Sequence, residues 1–281
     1  MTTAVLPAFG LHPRVPFADY LAWDAVNQSS LWEMERSPAH YRAALERPDE
    51  PTDAMAIGSL LHAALFEPDK LGQYVVWAGG PRNRNPAKAD WPIWQAEQIA
   101  AGRTIIEDGT AIAKAQGMAA ALRANSKAAP FIDGPGDNEL SMLWADADTG
   151  IICKGRLDRL AVVGGRRTIV ELKTTNDARP WRFRKTVESF GYHMQAAAYT
   201  DGMRTLEGGF TDHVIVVVEQ EPPHGVKVYL LGDATMQTGL LIWKRCLAEL
   251  NRCRTTGVWP AYPDRVEVLD IGQYAIEEGI R

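Results

Sequence analysis

Two acidic residues and a lysine lie close together in the middle of the sequence, in a pattern that suits phosphodiester chemistry. Glu171 and Lys173 are two residues apart within residues 168–174, a segment that predicts a strand. Side chains two apart on a strand project from the same face, so Glu171 and Lys173 are expected to point together while their neighbours face the core. A glycine turn separates this strand from a preceding one that contains Asp158.

If the preceding strand brings Asp158 alongside Glu171, two carboxylates and one ammonium group converge. Two carboxylates repel each other unless a cation joins them, and their hard oxygen atoms suit Mg²⁺ or Mn²⁺ rather than zinc. A lysine beside such a metal can orient or deprotonate a water molecule and neutralise charge on a phosphate, which suits attack on a phosphodiester bond. The bare motif also fits a solvated pair on an edge strand, with Asp158 in a turn. The surrounding residues are therefore needed to distinguish a metal site from a surface ion pair.

The elements around these residues predict an α/β chain with a mixed sheet. Helical patterns dominate the first part of the chain, with an apolar stripe through residues 54–68 and an alanine-rich stretch over about 91–125. Strand patterns follow at 139–145, 150–163 and 168–174. The remaining elements are a helix at 180–206, strands at 213–219 and 226–231, and a closing helix at 234–253.

The composition bounds the class of protein. The 281 residues are 46% hydrophobic and 23% charged, which suits one large globular domain. We therefore predict a single domain over 1–281, with an N-terminal helical part at about 15–125, a core at about 136–255 and a tail at 256–281. No apolar run reaches the roughly 18 residues of a membrane span, and a signal peptide is not evident, so we expect a cytoplasmic protein without membrane association. Three scattered cysteines fit a reducing compartment.

The charge distribution leaves nucleic acid open as a partner. A net charge of −5 weighs against DNA, because phosphate contacts usually need a basic surface. However, four cations fall within seven residues directly after the Lys173 strand: Arg179, Arg182, Arg184 and Lys185. With Trp181 and Phe183 interleaved, this run predicts phosphate contacts and stacking. Arg156 is a further phosphate candidate, and the exposed loop at 79–88 either contacts DNA or carries no function.

Further polar residues extend the pattern and carry a resemblance. They follow one another as Gly58 and His62, Gly155 and Asp158, Glu171 and Lys173, and Gln195 and Tyr199. This order and spacing resembles the PD-(D/E)XK nuclease core, and within it RecB-like nuclease domains and RecE-type exonuclease VIII. The resemblance spans about residues 15–205. It implies a restriction-endonuclease-like fold, with a central mixed sheet flanked by helices and an N-terminal helical extension.

The resemblance also implies roles for individual residues. The implied metal ligands are His62, Glu139, Asp158 and Glu171. The implied catalytic set is Asp158, Glu171, Lys173, Gln195 and Tyr199, in which Gln195 and Tyr199 line the site and brace Lys173 or the DNA backbone. On the residues alone, His62 also fits a hydrogen-bonded core histidine, and Glu139 could merely shape the site. The expected cofactor is Mg²⁺, replaceable by Mn²⁺. Some relatives hold an iron–sulfur cluster with four cysteines, and because this sequence has only three scattered cysteines, no such cluster is expected.

The function implied is a metal-dependent DNA exonuclease that digests linear duplex ends 5′→3′ in phage-type recombination. The implied partners are double-stranded DNA ends, a RecT-like single-strand annealing protein and further copies of the chain in a ring. The charge distribution also favours a ring, since an acidic chain can hold DNA with its cations on one inward face. Alternatives stay open: a structure-specific endonuclease, a nuclease module of a larger repair machine, a catalytically silent DNA-binding protein of the same fold, or a metal-binding protein unrelated to nucleic acid.

Overall fold

A computed structural model of the chain describes residues 6–47, 53–77, 90–106, 109–209 and 211–269. The strands are β1 Gly10–His12, β2 Tyr74–Val76, β3 Thr104–Ile106, β4 Gly136–Ala145, β5 Ile152–Val163, β6 Arg166–Thr175, β7 Asp212–Glu219 and β8 Val226–Leu230. The α-helices are α1 Phe17–Ala22, α2 Gln28–Leu31, α3 Pro38–Leu45, α4 Asp53–Phe66, α5 Asp90–Ala100, α6 Thr110–Ala124, α7 Ala129–Ile132, α8 Pro180–Ser189, α9 Tyr192–Glu207 and α10 Asp233–Thr256. Short 3₁₀ helices span Trp32–Glu35 and Pro68–Gln73. The predicted loop at 79–88 and the end of the predicted tail lie outside the described residues.

A mixed sheet forms the centre of the molecule. Within the described residues it has six strands in the order β1-β4-β5-β6-β7-β8, in which β6 and β7 run parallel and the other neighbours antiparallel. This confirms the predicted α/β architecture with a central mixed sheet flanked by helices. The pair β2–β3 forms a separate parallel sheet that the sequence patterns do not predict.

The hairpin between β5 and β6 fixes the register of the strands that carry the acidic motif. Val163 pairs with Arg166, so the turn consists of Gly164 and Gly165. Their φ angles are 59° and 76°, a left-handed conformation that glycine adopts without strain. Two-residue turns with positive φ at both positions match the twist of the flanking strands. The turn therefore sets which residues of β5 and β6 lie opposite each other.

Helices cover both faces of the sheet. On one face, α9 and α10 pack on β4 and β5 through buried side chains that include Trp144, Met194 and Trp243. On the other, α4 and α6 pack on β6 and β7 through Leu61, Met118 and Val216, among others. The run of valines in β7 is buried from both sides, as its continuous apolar sequence predicts. None of the helices in the described ranges is long and apolar enough to cross a membrane.

The predicted helix at 180–206 is in fact two helices, α8 and α9. The break falls at Gly191, which has a φ of 65°. A Cβ atom at this position would lie 2.6 Å from ring atoms of Trp32, so the close approach of the backbone to this ring also requires glycine. The helical periodicity of the sequence continues across the break, which explains why the pattern alone predicts one helix.

The N-terminal segment is anchored to the sheet by a buried lysine. Lys154, on β5, donates hydrogen bonds from Nζ to the carbonyl oxygens of Tyr20, Leu21 and Trp23 at 3.0, 3.0 and 2.8 Å. Carbonyls at the C-terminal end of a helix lack partners within the helix and attract positive charge. Lys154 therefore holds the end of α1 against β5, close to the acidic motif.

A second buried charge cluster connects the β4–β5 turn with α9 and α10. Lys244 on α10 forms an ion pair with Asp146 in the turn, and its Nζ lies 3.1 Å from Oδ2 of Asp201 on α9. Burial opposes ionisation of Asp146, but Lys244 and Thr149 outweigh it and lower the pKa of this carboxyl group. The lysine thus compensates carboxylates that are almost completely buried.

Replacing this lysine tests the cluster. Lys244→Met should lower the free energy of unfolding by about 3 kcal/mol, the lower end of the range for a buried charge left uncompensated, because part of Lys244 is exposed. Since the pKa of Asp146 is lowered in the folded state, its contribution is present above the ordinary aspartate pKa of about 3.9 and is lost as the pH falls below it. Urea unfolding across pH, with exposed Lys227→Met as control, measures the effect. A pH-independent loss would exclude the ion pairs as its source.

Candidate active site

The acidic motif lies where β5 and β6 separate. The paired register of the two strands ends at Arg159 and Val170. At the next position, Asp158 would lie opposite Glu171, but the regular backbone pairing stops there. Instead, Oδ2 of Asp158 accepts a hydrogen bond from the backbone N–H of Leu172 at 2.7 Å. A carboxylate therefore replaces a strand-to-strand hydrogen bond, and the two strands splay around it.

The opposite neighbour of Asp158 is the strained residue Glu139. The register of β4 and β5 pairs Asn138 with Arg159 and Leu140 with Leu157, which places Glu139 across from Asp158. Glu139 has a φ of 50°, which is uncommon for a residue with a side chain and costs energy. Side-chain alternation also breaks here, because Leu140 joins the core under α9 while Asn138 donates a hydrogen bond to Phe66 on α4.

His62 on α4 lies between these two carboxylates. Its Nδ1 is 3.3 Å from Oε1 of Glu139, and its Nε2 is 3.5 Å from Oδ2 of Asp158. Burial lowers the pKa of His62, but Asp158 and Glu139 outweigh this effect and raise it to about 9. The predicted ligand histidine thus joins two of the predicted acidic residues at one point and carries positive charge there.

Glu171 and Lys173 form the other half of the site. Glu171 is only 1% exposed, and Nζ of Lys173 donates a hydrogen bond to its Oε2 at 3.0 Å. Burial and the nearby Asp158 raise the pKa of Glu171 to about 7, although Lys173 opposes the shift. Burial lowers the pKa of Lys173, but Glu171 and Asp158 raise it by more. The pair is therefore not a solvated edge-strand pair, since β6 is a central strand.

Arg156 faces the protein instead of solvent. Its side chain is 9% exposed, and its Nε donates a hydrogen bond to Oε2 of Glu139 at 2.8 Å. Its Nη1 donates to the carbonyl oxygen of Val15 and to Oγ of Ser141 at 2.8 and 3.1 Å. The phosphate contact predicted for Arg156 stays a prediction that this geometry does not favour, because two of the three guanidinium nitrogens already donate hydrogen bonds within the protein. Its position shows a different task, which is to hold Glu139.

Gln195 and Tyr199 lie one turn apart on α9, as their spacing predicts. Nε2 of Gln195 donates a hydrogen bond to the Tyr199 hydroxyl at 3.4 Å. Burial and the charge of Glu171 raise the pKa of Tyr199 well above its ordinary value, so the phenol stays protonated. The ring of Tyr199 rests against Gly155 on β5: a Cβ atom there would lie 2.8 Å from Cε1 of the ring. The glycine three residues before Asp158 thus makes room for the tyrosine.

The predicted phosphate-binding run forms the start of α8. The guanidinium groups of Arg179 and Arg182 lie over the Trp181 ring, at 5.1 and 4.4 Å from its centroid. Asp177 pairs with Arg179 at 2.6 Å and with Arg182 at 3.9 Å, so part of their charge is already balanced. Arg184 and Lys185 are exposed. The DNA contacts of these four residues remain a prediction.

A family model and solved structures are similar to this chain. The model described as "PDDEXK-like domain of unknown function (DUF3799)" matches residues 27–271. The chain belongs to this PDDEXK-like family. No curated protein sequence matches it.

Among solved structures, a protein from Eubacterium rectale described as a "Putative exonuclease" is 15% identical to this chain. The similarity covers 94% of this chain and 95% of that chain with a TM-score of 0.60, which shows a shared fold. A protein from Vibrio cholerae is 14% identical, covering 85% of this chain and 61% of that chain, but its TM-score of 0.23 is too low to support a shared fold. The family and the fold together support a nuclease.

PDDEXK nucleases typically use divalent metal ions, and the donor set here fits such an ion. Three carboxylates and an imidazole are suitable ligands, and Oε1 of Glu171 is buried without a hydrogen-bond partner among the described residues. As the side chains stand, however, no group of three or more His, Cys, Asp or Glu residues in the described part of the chain could hold a metal ion. The imidazole of His62 lies between Glu139 and Asp158, so metal binding requires these side chains to turn.

Sequence reasoning missed the residues that support this PDDEXK-like site from the N-terminal segment and from the start of α9. The guanidinium of Arg156 lies 5.8 Å from the ring centroid of Phe17 and 5.9 Å from that of Tyr20, both on α1. Nζ of Lys173 lies 4.8 Å from the ring centroid of Tyr192. Tyr192 could have been found, because it precedes Gln195 by three residues and so shares its helix face. The contacts of α1 have no local sequence signal.

The fit between Gly155 and Tyr199 can be tested by adding one methyl group. Gly155→Ala should lower the free energy of unfolding by about 1–3 kcal/mol, because the new Cβ atom would lie too close to the buried Tyr199 ring. The matched control is Gly58→Ala on α4, where a Cβ atom would meet nothing within 4 Å. Urea unfolding should show the loss for Gly155→Ala alone. Equal stability of the two variants would mean that Tyr199 does not depend on Gly155.

Proposed function

We propose that this PDDEXK-like protein is a metal-dependent deoxyribonuclease. The observation that carries the proposal is the convergence of Asp158 and Glu171 at the splayed ends of two central strands, with Lys173 hydrogen-bonded to Glu171. Buried carboxylates at such a position weaken the sheet, which is hard to explain unless they bind something. The PDDEXK-like family and the fold shared with a protein described as a putative exonuclease support the reaction class.

Each residue of the site has a task in this proposal. Asp158 and Glu171 hold the metal ion, Mg²⁺ or Mn²⁺, together with His62 and Glu139. A bound divalent ion would polarise the phosphate and lower the pKa of a bound water molecule. Lys173, on the same strand face as Glu171, orients the attacking water and offsets negative charge on the phosphate. Gln195 and Tyr199 brace this arrangement from α9.

The finer proposal concerns the substrate and its context. We infer an exonuclease that acts 5′→3′ on linear double-stranded DNA ends in phage-type recombination, with a RecT-like annealing protein as partner. The sequence resemblance to RecE-type exonucleases supports this inference, and it implies a ring-shaped homo-oligomer as well. Cations concentrated on α8, in a chain of net charge −5, are compatible with a ring that encloses DNA.

An assay on two DNA forms tests the proposal. With Mg²⁺ or Mn²⁺, the protein should degrade blunt linear duplex but not covalently closed circles, and EDTA should abolish the reaction. Gel electrophoresis of both substrates measures this directly. Cutting of the circles would indicate an endonuclease, and retardation without degradation would indicate a DNA-binding protein.

Two substitutions connect the reaction to the site. Asp158→Asn and Lys173→Ala should each reduce hydrolysis by several orders of magnitude, because they remove a metal ligand and the group that orients water. DNA affinity in Ca²⁺ should change little, since most of the binding energy comes from phosphate contacts elsewhere. Arg167→Gln, at the far end of β6, is the control. Near-normal turnover by either folded variant would contradict the assignment.

The cations of α8 make a separate prediction about binding. Neutralising Arg184 and Lys185 together should flatten the salt dependence of DNA affinity, by about 0.9 in the logarithmic slope for each lost phosphate contact. Neutralising Arg166 and Arg167 changes the net charge equally at the end of β6 remote from Lys173 and is the matched control. Fluorescence anisotropy over a range of salt concentrations measures both slopes. Equal slopes for the two double variants would exclude Arg184 and Lys185 from the interface.

A further inference from the structure

An exposed aromatic ring, Phe190, stands beside the site at the junction of α8 and α9. It is 63% exposed, and one face of its ring is stacked on Tyr192 with centroids 5.8 Å apart and planes inclined by 21°. Tyr192 in turn lies next to Lys173, with Nζ 4.8 Å from its ring centroid. A continuous series of contacts therefore leads from the lysine of the site to a phenylalanine that faces solvent.

The junction that carries Phe190 is fixed in place. The N–H of Phe190 donates to the carbonyl oxygen of Thr186 at 3.0 Å, which ends α8. Gly191 follows with a φ of 65° and packs directly on the Trp32 ring. Buried Gln28 donates from Nε2 to the carbonyl oxygen of Gly191 at 3.4 Å. The backbone that carries Phe190 is thus fixed, while its side chain stays largely exposed among the described residues.

Exposure alone identifies no partner, because single apolar residues are common on protein surfaces. The surroundings of Phe190 are more specific. Helix α8 carries three cations, Arg182, Arg184 and Lys185, against one carboxylate, Glu188, and Asp177 before the helix balances only part of the charge of Arg182. Lys173 supplies another positive charge beyond Tyr192. The partner that fits is therefore one that offers a flat ring to Phe190 and negative charge to the lysine and to α8.

We propose that Phe190, supported by Tyr192, is a stacking platform for one unpaired nucleobase of the substrate strand. The proposal rests on the proposed function, because it takes the phosphate of the same strand to lie at Lys173. Every base has a π-face, so an aromatic ring accepts any base without reading the sequence. A base inside a duplex is already stacked on both sides. The platform therefore favours a strand end whose last base is unpaired.

Binding to DNA with single missing bases tests the platform. The substrates are fluorescein-labelled duplexes with a short overhang of either polarity, which is either intact or carries one abasic site at a defined position. Binding is measured in Ca²⁺, and gels check that the strands stay intact. For the wild type, one position should lower the affinity about 5- to 150-fold, the range for loss of one stacked base. Phe190→Ala should bind the intact overhang about as weakly as the wild type binds the overhang with the abasic site at that position. In this variant the abasic site itself should lower the affinity no further.

Two variants serve as controls. Phe190→Trp should keep the sensitivity to the abasic position that Phe190→Ala loses, because tryptophan also offers an aromatic ring. Leu241→Ala removes another large exposed apolar side chain, 71% exposed on α10, and should behave as the wild type. Equal affinity of Phe190→Ala and the wild type for every substrate would overturn the proposal.

Two further outcomes separate this proposal from others. If Phe190→Ala lowers the oligomeric mass in light scattering, the Phe190 side chain contacts a second copy of the protein and is not a platform for a base. If the wild type cleaves no DNA with any metal but still shows the coupling between Phe190 and one abasic position, the platform stands and the nuclease function falls.

Discussion

Three ionised carboxylates on adjacent central strands repel each other, and burying them together requires positive charge beside them. Glu139, Asp158 and Glu171 occupy successive strands at one level of the sheet, as the registers of β4, β5 and β6 require. The protein sets cationic groups against them from its own chain: His62, Arg156 and Lys173. Several features of the surrounding structure follow from this need for compensation.

The compensation explains why remote segments meet at this point. Arg156 can hold Glu139 because the N-terminal segment supplies a carbonyl acceptor at Val15 and aromatic rings beside the guanidinium. Lys154 keeps that segment in place through the end of α1. From the opposite layer, α4 supplies His62. The positive φ of Glu139 and the lost strand pairing at Asp158 are the structural costs of the site, and they coincide with the residues that the proposed chemistry needs.

Much of this could be predicted from the sequence, because the main signals are local. The spacing of Glu171 and Lys173, the glycine turn before them and the apolar run of β7 each determine structure within a few residues. Arg156 could not be placed, because its partners at Val15 and Ser141 are fixed only by tertiary packing. The break at Gly191 escaped for the same reason, since it depends on Trp32. His62 lies beside Glu139, whose backbone is strained in a way that no sequence pattern reveals.

We propose that these carboxylates form one divalent metal site for DNA hydrolysis. Anomalous diffraction from crystals of the protein soaked in Mn²⁺ tests it most directly, because it locates the ion independently of activity. We expect a peak in contact with Asp158 and Glu171, together with a side-chain rotation that moves the His62 imidazole out of its place between Glu139 and Asp158. Asp158→Asn crystals should lose or weaken the peak. A fully soaked crystal with no ion at these residues, or with its ion bound elsewhere, would rule out a metal site at these carboxylates.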